Sequence, residues 1–247
     1  MMSTLNNKTA LVTGGSRGIG AGIVKRLSSD GANVAFTYVS DKEKAEELVK
    51  EIEKTGRKAI AIEANNQNPE EVIDAVEKTI STFGQLDILV NNAGIGIVAP
   101  IEDFSLEKFD KTMDINVRAV FIAIQAAVKH MKKGSRIINI GSINADRMPF
   151  QGGGVYAMSK AAIQGLTRGL ARDFGPLGIT INNIQPGPIN TEMNPEEGEF
   201  ADYLKTHISV GRYGQPEEIA SLVSYLSGSE TAYINGASLN IDGGFAS

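Results

Sequence analysis

Short runs of apolar and β-branched residues alternate along this chain with longer segments of helical periodicity. The run Ile88–Val90 is apolar throughout, which is typical of a parallel strand covered on both faces. Strand–helix repetition requires right-handed crossovers between parallel strands, so it predicts an α/β fold with a doubly wound parallel sheet and helices on both faces. The seven predicted strands are Thr9–Thr13, Asn33–Tyr38, Lys58–Glu63, Leu86–Asn91, Arg136–Ile140, Thr180–Gln185 and Ser238–Asp242.

The helical segments carry start signals. Asn68-Pro69 places a capping side chain before a first-turn proline, and Gln215-Pro216 opens another helix in a similar way. Helices are also predicted over Asp41–Lys54 and Tyr156–Phe174. No interior linker rich in proline, glycine or serine divides the chain, so we expect one domain over residues 1–247.

Residues 187–214 depart from this rhythm, because they contain prolines and glycines and no clear strand. Long loops in compact domains are often functional lids. This loop follows the sixth predicted strand, at the carboxyl edge of the sheet where ligands bind in open α/β folds. We therefore expect it to be a substrate loop.

Composition excludes several classes of function. Asp and Glu number 29 against 24 Lys and Arg, a formal net charge of −5, whereas proteins that bind a nucleic-acid polymer usually show the opposite balance. The sequence has no cysteine and only His130 and His207, which excludes disulfides and a three-histidine metal site within one chain. We expect no bound metal.

No signal-peptide pattern is found at the N-terminus. The most apolar stretch, Ala119–Val128, is too short to span a bilayer. These observations predict a cytoplasmic protein without a membrane partner.

A glycine-rich turn, Thr13–Gly20, joins the first predicted strand to a helix. Glycines at 14, 18 and 20 let the backbone approach a pyrophosphate, and the helix N-terminus supplies N–H donors. Their spacing differs from G-x-G-x-x-G, but the strand–turn–helix context is that of a dinucleotide site. A plain glycine-rich turn is the alternative.

The end of the second strand indicates which dinucleotide is bound. Sites for NAD usually place a carboxylate there, whereas this strand ends Tyr38-Val39-Ser40. Arg17 lies in the glycine turn, where a guanidinium can pair with a 2′-phosphate. NADP is therefore favoured over NAD. Ser40 and Lys42 are either helpers or solvated residues at a helix start.

Tyr156 and Lys160 are four residues apart on a predicted helix, so their side chains share a face. A neighbouring ammonium group lowers the pKa of a tyrosine from near 10, which makes it an acid–base group. Ser142 follows the strand Arg136–Ile140, where its hydroxyl would hold a carbonyl oxygen beside the tyrosine. Alone, a Tyr-x-x-x-Lys pair is usually an ordinary helix-surface contact.

Taken together, the motifs resemble those of the short-chain dehydrogenase/reductase family over essentially the whole chain. The matching motifs are Thr13-Gly14-x-x-x-Gly18-x-Gly20, Asn91-Asn92-Ala93-Gly94, Asn116, Ser142, Tyr156-x-x-x-Lys160 and Pro186-Gly187. The resemblance implies a single-domain Rossmann fold. It also implies an NADP(H)-dependent oxidoreductase that transfers a hydride between the nicotinamide and a ketone or secondary alcohol.

The same resemblance implies roles for individual residues. Tyr156 would be the catalytic acid–base, Ser142 would polarise the carbonyl, and Lys160 would bind the nicotinamide ribose and lower the tyrosine pKa. Asn116 would hold a proton-relay water, or act as a structural amide. The implied cofactor-binding residues are Gly14, Ser16, Arg17, Gly18, Ile19, Gly20, Tyr38, Asn65, Asn66, Asn92, Ala93, Gly94, Tyr156, Lys160, Pro186, Gly187, Ile189 and Thr191.

Two positions depart from the family pattern. Asn65-Asn66 stands where relatives often have an aspartate that bonds the adenine amino group, and Val39 stands where many NADP-using relatives have a basic residue. An asparagine oxygen still accepts the adenine bond. Arg17 is then the main expected phosphate contact.

The expected substrate cleft has no arginine fork for a carboxylate, which favours a neutral ketone, aldehyde or acyl thioester. Its expected residues are Ile95, Ser142, Asn144, Gln151, Gly152, Met193, Phe200 and His207. The chain resembles 3-oxoacyl-[acyl-carrier-protein] reductases, and sugar and alcohol dehydrogenases are also similar. Lys129, Lys132, Lys133 and Arg172 would either face an acidic carrier protein or be solvated at helix ends.

A second branch of the family is also similar, the cyclic-di-GMP-binding biofilm dispersal mediators. This similarity lies in residues 141–149 and 185–191. On that reading the chain is a nucleotide-binding regulator, and Arg147 meets a phosphate or stacks on guanine. The intact Ser142, Tyr156 and Lys160 favour an enzyme.

Family members usually form tetramers of twofold symmetry through the segments Leu106–Met131 and Tyr156–Phe174, so we expect a homotetramer. Val120, Ile124 and Val128 fit a helix face that needs a partner. The same positions would also suit the chain's own core.

Overall fold

The computed structural model describes residues 5–247. Its seven strands are all parallel and form one sheet in the order β3-β2-β1-β4-β5-β6-β7. The predicted doubly wound sheet is thereby confirmed, with several strand ends moved by one or two residues. The strands are β1 Thr9–Val12, β2 Asn33–Tyr38, β3 Ala59–Glu63, β4 Ile88–Asn91, β5 Arg136–Ile140, β6 Thr180–Pro186 and β7 Ser238–Ile241.

Several of the α-helices begin where the sequence provides a capping side chain. Asp41 accepts a hydrogen bond from the backbone N–H of Lys44 at 3.0 Å, and Asn68 accepts one from Glu70 at 3.0 Å. Gln215 and Glu218 form a capping box. In the described residues the α-helices are α1 Gly18–Ser29, α2 Lys42–Glu53, α3 Pro69–Phe83, α4 Leu106–Met113, α5 Ala119–Val128, α6 Gly154–Phe174, α7 Glu199–Lys205 and α8 Pro216–Ser227.

Both faces of the sheet are covered by helices. Val12 packs in a cluster with residues of α1 and α8, while its neighbour Leu11 packs in a second cluster with residues of α3 and α5. Adjacent strand residues point to opposite faces, so β1 to β6 contribute to both clusters, while β7 contributes Leu239 and Ile241 to the first. Burying one such aliphatic side chain stabilises the folded state by roughly 1.5–3 kcal/mol. The packed sheet therefore holds the residues at its edges in fixed positions.

The hypothesis that α5 presents an unpartnered apolar face is not supported at the positions chosen for it. Val120 and Ile124 are buried in the chain's own core, and Val128 packs against the same core. The exposed apolar residue of α5 is instead Phe121.

The expected substrate loop contains a short helix, α7, that the sequence did not predict. Tyr213 and Leu204 of this loop are buried and pack against Phe245 near the C-terminus. Arg212 donates two hydrogen bonds to Glu218 at the start of α8, at 2.8 and 2.9 Å. The loop is thus anchored at its far end.

No helix of residues 5–247 combines the length and the apolarity needed to cross a bilayer. The cytoplasmic location stays a prediction. The same residues contain no cluster of three or more acidic or histidine side chains arranged to hold a metal ion.

Candidate active site

A cavity of about 420 Å³ opens at the carboxyl edge of the sheet. Its middle lies over β1 and β4, neighbouring strands from which the chain winds outward in opposite directions, and ligands of such folds bind at this switch point. Arg17 and Asn65 line one end, and Ser142 and Tyr156 line the other. All eighteen residues predicted to bind the cofactor line this one cavity.

The glycine turn is held in a conformation that side chains would obstruct. Gly14 has a φ of +63°, in the left-handed region that favours glycine. A Cβ on Gly20 would lie 2.2 Å from the carbonyl oxygen of Gly14. Arg17 is the N-cap of α1 but makes no side-chain capping bond. The helix N-terminus therefore faces the cavity without a side-chain cap, as a phosphate site requires.

Polar side chains in or just beyond β1, β2 and β4 hold this turn in place. The carboxamide of Asn92 donates to the carbonyl oxygens of Thr13 and Gly14, both at 2.9 Å. The hydroxyl of Thr13 accepts from the backbone N–H groups of Asn92 and Ala93, at 3.0 and 3.1 Å. Thr37 of β2 accepts from the Gly14 N–H at 2.9 Å. The side chains of Asn92 and Thr37 thus hold the turn in place by hydrogen bonds to its backbone.

Ser142, Tyr156 and Lys160 meet at the other end of the cavity. Ser142 is buried just beyond β5; its hydroxyl accepts from the N–H of Asn144 at 3.1 Å and lies close enough to the Tyr156 side chain to influence its pKa. Lys160, one turn along α6, is buried and donates to the carbonyl oxygen of Ile140 at 2.9 Å. Its Nζ lies 5.7 Å from the centre of the Tyr156 ring. The predicted triad is therefore assembled, although β5 and α6 are separate elements.

The acid–base behaviour of this triad differs from the sequence prediction. Burial raises the pKa of Tyr156, and the side chain of Ser142 opposes that rise without cancelling it. Burial also lowers the pKa of Lys160 to about 8. The expected lowering of the tyrosine pKa by Lys160 is therefore not found: burial is the largest influence on this pKa, and the group that opposes it is Ser142.

Asn116 lies in a π-helical turn, Asp114–Arg118, between α4 and α5. Such turns often occur at functional sites. Its carboxamide accepts from the N–H of Ile95 and donates to the carbonyl oxygen of Ile95, both at 2.9 Å, and also donates to Ser159 at 3.0 Å. These contacts match the structural-amide alternative. Asn116 does not line the cavity, and its water-holding role stays a prediction.

The adenine end is formed by the loops after β2 and β3. Asn65 Oδ1 accepts a hydrogen bond from the N–H of Gln67 at 3.0 Å, so one of its two lone pairs stays available to a ligand. Asn66 and Tyr38 are buried against the same end. An adenine amino group can therefore be accepted here without an aspartate.

The substrate predictions divide into two groups. Ser142, Ile95 and Met193 line the cavity. Asn144 and Gln151 lie outside it: the backbone N–H of Asn144 donates to Ser142 Oγ at 3.1 Å, and Gln151 is exposed on a turn. Their contact with substrate stays a prediction.

Gly152, Phe200 and His207 also lie outside the cavity lining. Phe200 is exposed and packs edge to face on Phe150, with ring centres 5.8 Å apart. His207 packs against Tyr203, with ring centres 4.7 Å apart and the ring planes tilted by 57°. These residues belong to the substrate loop and its surroundings.

The basic residues considered for carrier docking lie far from this cavity. Lys129 follows the end of α5, and Arg172 is in the last turn of α6. Helices that connect parallel strands run back to the amino edge of the sheet, so Lys129, Lys132, Lys133 and Arg172 lie at the edge opposite Tyr156. Arg147 is also engaged elsewhere, since it donates to the carbonyl oxygen of Phe245 at 2.8 Å.

Several cavity residues had not been predicted from the sequence. A threonine within the apolar strand β2 was a usable signal for Thr37. Glu192 carried no local signal, because its contacts are made with distant parts of the chain. Val39 and Ser40, after the end of β2, also line the cavity. The lining residues that the sequence does not predict are Thr37, Asp41, Ala64, Gly96, Ile115, Ile140, Gly141, Glu192 and Asn194.

Known proteins resemble this chain over nearly all of its length. A family model described as Enoyl-(Acyl carrier protein) reductase matches residues 14–246. The Cyclic-di-GMP-binding biofilm dispersal mediator protein of Escherichia coli K12 is 47% identical over 99% of both chains. The 3-oxoacyl-[acyl-carrier-protein] reductase of Staphylococcus aureus is 38% identical over 96% of this chain and 97% of its own.

A solved structure extends the comparison to three dimensions. A short chain dehydrogenase from Burkholderia cenocepacia J2315, in complex with NADP, superposes with a TM-score of 0.97. It is 49% identical and covers 99% of this chain and 100% of its own.

Proposed function

The chain belongs to the short-chain dehydrogenase/reductase family of oxidoreductases, and from this premise we propose that it reduces a ketone or aldehyde with NADPH. The observation that carries the proposal is the contact of Ser142 with Tyr156, beside buried Lys160, in the cavity that also contains the glycine turn. The solved NADP complex at 49% identity supports the choice of cofactor.

The residues present fit this cofactor. The turn of Gly14 and the N-terminus of α1 leave the backbone open to a pyrophosphate. Arg17 would hold the 2′-phosphate, Asn65 the adenine, and Lys160 the nicotinamide ribose. A Cβ on Gly94 would lie 3.4 Å from Lys160 Nζ, so glycine keeps this end of the cavity open. The bound cofactor would supply a hydride to the carbonyl carbon.

The protein's own contribution is to hold the carbonyl group and to supply the proton. Ser142 Oγ would donate a hydrogen bond to the carbonyl oxygen, and Tyr156 would transfer its phenolic proton to the same oxygen. The raised pKa of Tyr156 keeps the phenol protonated at neutral pH. The phenolate left by this proton transfer would be stabilised by Lys160 and reprotonated from solvent.

The cavity favours a neutral substrate. Among the described lining residues the basic ones are Arg17 and Lys160, and both are assigned to the cofactor. Ile95 and Met193 give the substrate end an apolar wall. A small ketone, a diketone or a 3-oxoacyl thioester therefore fits better than a keto acid.

The test is NADPH oxidation measured against 3-oxoacyl thioesters, diketones, aldehydes and keto acids of similar size. The proposal expects turnover of at least one neutral carbonyl compound and slower turnover of its carboxylate analogue. Tight NADPH binding with no turnover of any of these compounds would contradict it.

Cyclic-di-GMP binding is the second candidate function. It is supported by the relative in Escherichia coli, which is named for that ligand. The proposed contact of Arg147 lacks support, because this residue is bonded to the C-terminal segment. If cyclic-di-GMP occupies the cavity, it competes with NADPH; a titration that leaves the NADPH dissociation constant unchanged argues against it.

We also propose that the chain forms a homotetramer. Exposed apolar side chains occur on each helix of the expected interface, with Leu106 at the start of α4, Phe121 on α5 and Met158 on α6. Sedimentation should give a tetramer at micromolar concentration, and a monomer would contradict the proposal.

A further inference from the structure

Three charged side chains from separate parts of the chain meet at the rim of the cavity. Glu192, in the substrate loop, forms a close ion pair with Lys44 of α2. Its other carboxylate oxygen lies 3.9 Å from Nη1 of Arg17. The carboxylate is therefore shared between two cations, one beside the glycine turn and one beside the end of β2.

The backbone around these residues holds them near one another. The N–H of Lys44 is bonded to the capping residue Asp41 at 3.0 Å. A Cβ on Gly18 would lie 3.3 Å from the methyl group of Thr191, the neighbour of Glu192. The substrate loop thus rests directly on the glycine turn, and it carries Glu192 to the adenosine end of the cavity.

The charges at this end are few. Among the described lining residues they are Arg17, Asp41 and Glu192, with Lys44 just outside. Lys44 and, more weakly, Arg17 lower the pKa of Glu192, while Asp41 opposes them. Glu192 is therefore an anion at neutral pH, placed where an anionic group of a ligand would meet the same two cations.

We propose that Lys44 and Glu192 set the preference for the 2′-phosphate. Lys44 is the second cationic contact of the 2′-phosphate, and it compensates for the absence of a basic residue at Val39. Glu192 competes with the phosphate, because its carboxylate pairs with Arg17 and Lys44 until the phosphate replaces it. This inference rests on the proposed use of NADP(H). A phosphate dianion binds such a pair of cations more strongly than a single carboxylate does, and exposed ion pairs cost little to break.

Displacement of Glu192 also has a consequence for the substrate loop. The Glu192–Lys44 pair ties this loop to α2. A ligand with a 2′-phosphate would break this ion pair, whereas NADH would leave it intact. The adenosine end would thereby be coupled to the loop that covers the substrate end.

The experiment measures dissociation constants of two probes, adenosine 2′,5′-bisphosphate and adenosine 5′-monophosphate, together with NADPH and NADH. The variants are Lys44→Gln, Glu192→Gln and the double variant. Lys25→Gln and Glu51→Gln are matched controls, because Lys25 and Glu51 form an exposed ion pair at 2.9 Å outside the cavity lining.

The inference expects Glu192→Gln to tighten the bisphosphate and NADPH by about three- to fivefold, and Lys44→Gln to weaken them by a similar factor. The monophosphate and NADH should change by less than about twofold, as should all four ligands in the control variants. In the double variant, Lys44→Gln should largely cancel the gain in affinity for the bisphosphate and NADPH that Glu192→Gln gives alone.

Two results would overturn it: an unchanged ratio of bisphosphate to monophosphate affinity in both variants, or weaker NADPH binding in Glu192→Gln. If the wild type binds NADPH and this ratio does not change, the inference is wrong and the proposed function stands. If the wild type binds no NADPH, the proposed function is wrong as well.

Discussion

The Nζ of Lys160 lies 5.7 Å from the centre of the Tyr156 ring, yet its hydrogen bond goes to the backbone carbonyl of Ile140. Burial drives both residues toward their uncharged forms, since it raises the pKa of Tyr156 and lowers that of Lys160 to about 8. A protonated tyrosine is the form that gives a proton to a carbonyl oxygen. The buried ammonium group of Lys160 destabilises the free protein, but it would stabilise a phenolate that develops on Tyr156.

Replacing Lys160 by Met should increase the free energy of unfolding at about pH 7. The pKa of Lys160 is about 8 in the folded protein, whereas an exposed lysine ordinarily has a pKa of 10.5, so the unfolded chain binds this proton more tightly. The resulting penalty is fully present below about pH 8 and disappears as the pH rises toward about 10.5. At about 1.4 kcal/mol per pKa unit it amounts to at most about 3 kcal/mol, less the lost bond to Ile140.

Urea unfolding of both proteins between about pH 7 and about pH 10 checks this prediction. The stability advantage of Lys160→Met should narrow as the pH rises, while turnover is lost at every pH. A variant less stable than the wild type by the same amount throughout would contradict it.

Arg17→Ala should weaken the binding of NADPH by at least about tenfold and that of NADH only slightly, because a guanidinium–phosphate contact is charge-assisted. The measurement is the dissociation constant of each cofactor from the change in nicotinamide fluorescence. Arg57→Ala, which removes a partly exposed arginine outside the cavity lining, is the control. Equal losses for NADPH and NADH would show that Arg17 does not contact the 2′-phosphate.

Gly20→Ala should abolish NADPH binding and destabilise the fold. The added Cβ would lie 2.2 Å from the Gly14 carbonyl oxygen and 2.6 Å from Asn92 Nδ2, so the turn must shift, at a cost of about 1–3 kcal/mol or more. Gly165→Ala is the control, because no atom lies within 4 Å of its Cβ position in α6. Thermal unfolding should show a lower Tm for Gly20→Ala. For Gly165→Ala it should show a gain in the free energy of unfolding of about 0.5–1 kcal/mol. Normal NADPH affinity in Gly20→Ala would refute this account of the turn.

The sheet and most of the cofactor site could be predicted because their signals are local. Apolar runs define the strands, and parallel strands bring their carboxyl ends to one edge. Residues that follow those ends, such as Gly14, Asn92 and Ser142, must then meet. The other cofactor-binding residues follow from the family resemblance that these motifs carry, not from the strand pattern alone.

Other features depend on contacts that no local pattern encodes. Lys44 and Glu192 are 148 positions apart, and their pairing follows from the path of the substrate loop. Val120 and Ile124 fit an exposed face as well as a buried one, and only the packing of α5 on the sheet decides between them. The pKa of Tyr156 depends on how deeply the ring is buried, which the Tyr-x-x-x-Lys spacing does not determine.

In the proposed reaction Tyr156 supplies the proton for reduction of a carbonyl group by NADPH. The most direct measurement compares wild type and Tyr156→Phe in NADPH oxidation with the carbonyl compound that the wild type reduces fastest, and in NADPH binding. Tyr233→Phe, at a fully exposed tyrosine, is the control. Tyr156→Phe should keep NADPH affinity within about twofold of the wild type and lose at least about a hundredfold in kcat. Turnover at the wild-type rate in Tyr156→Phe would contradict it.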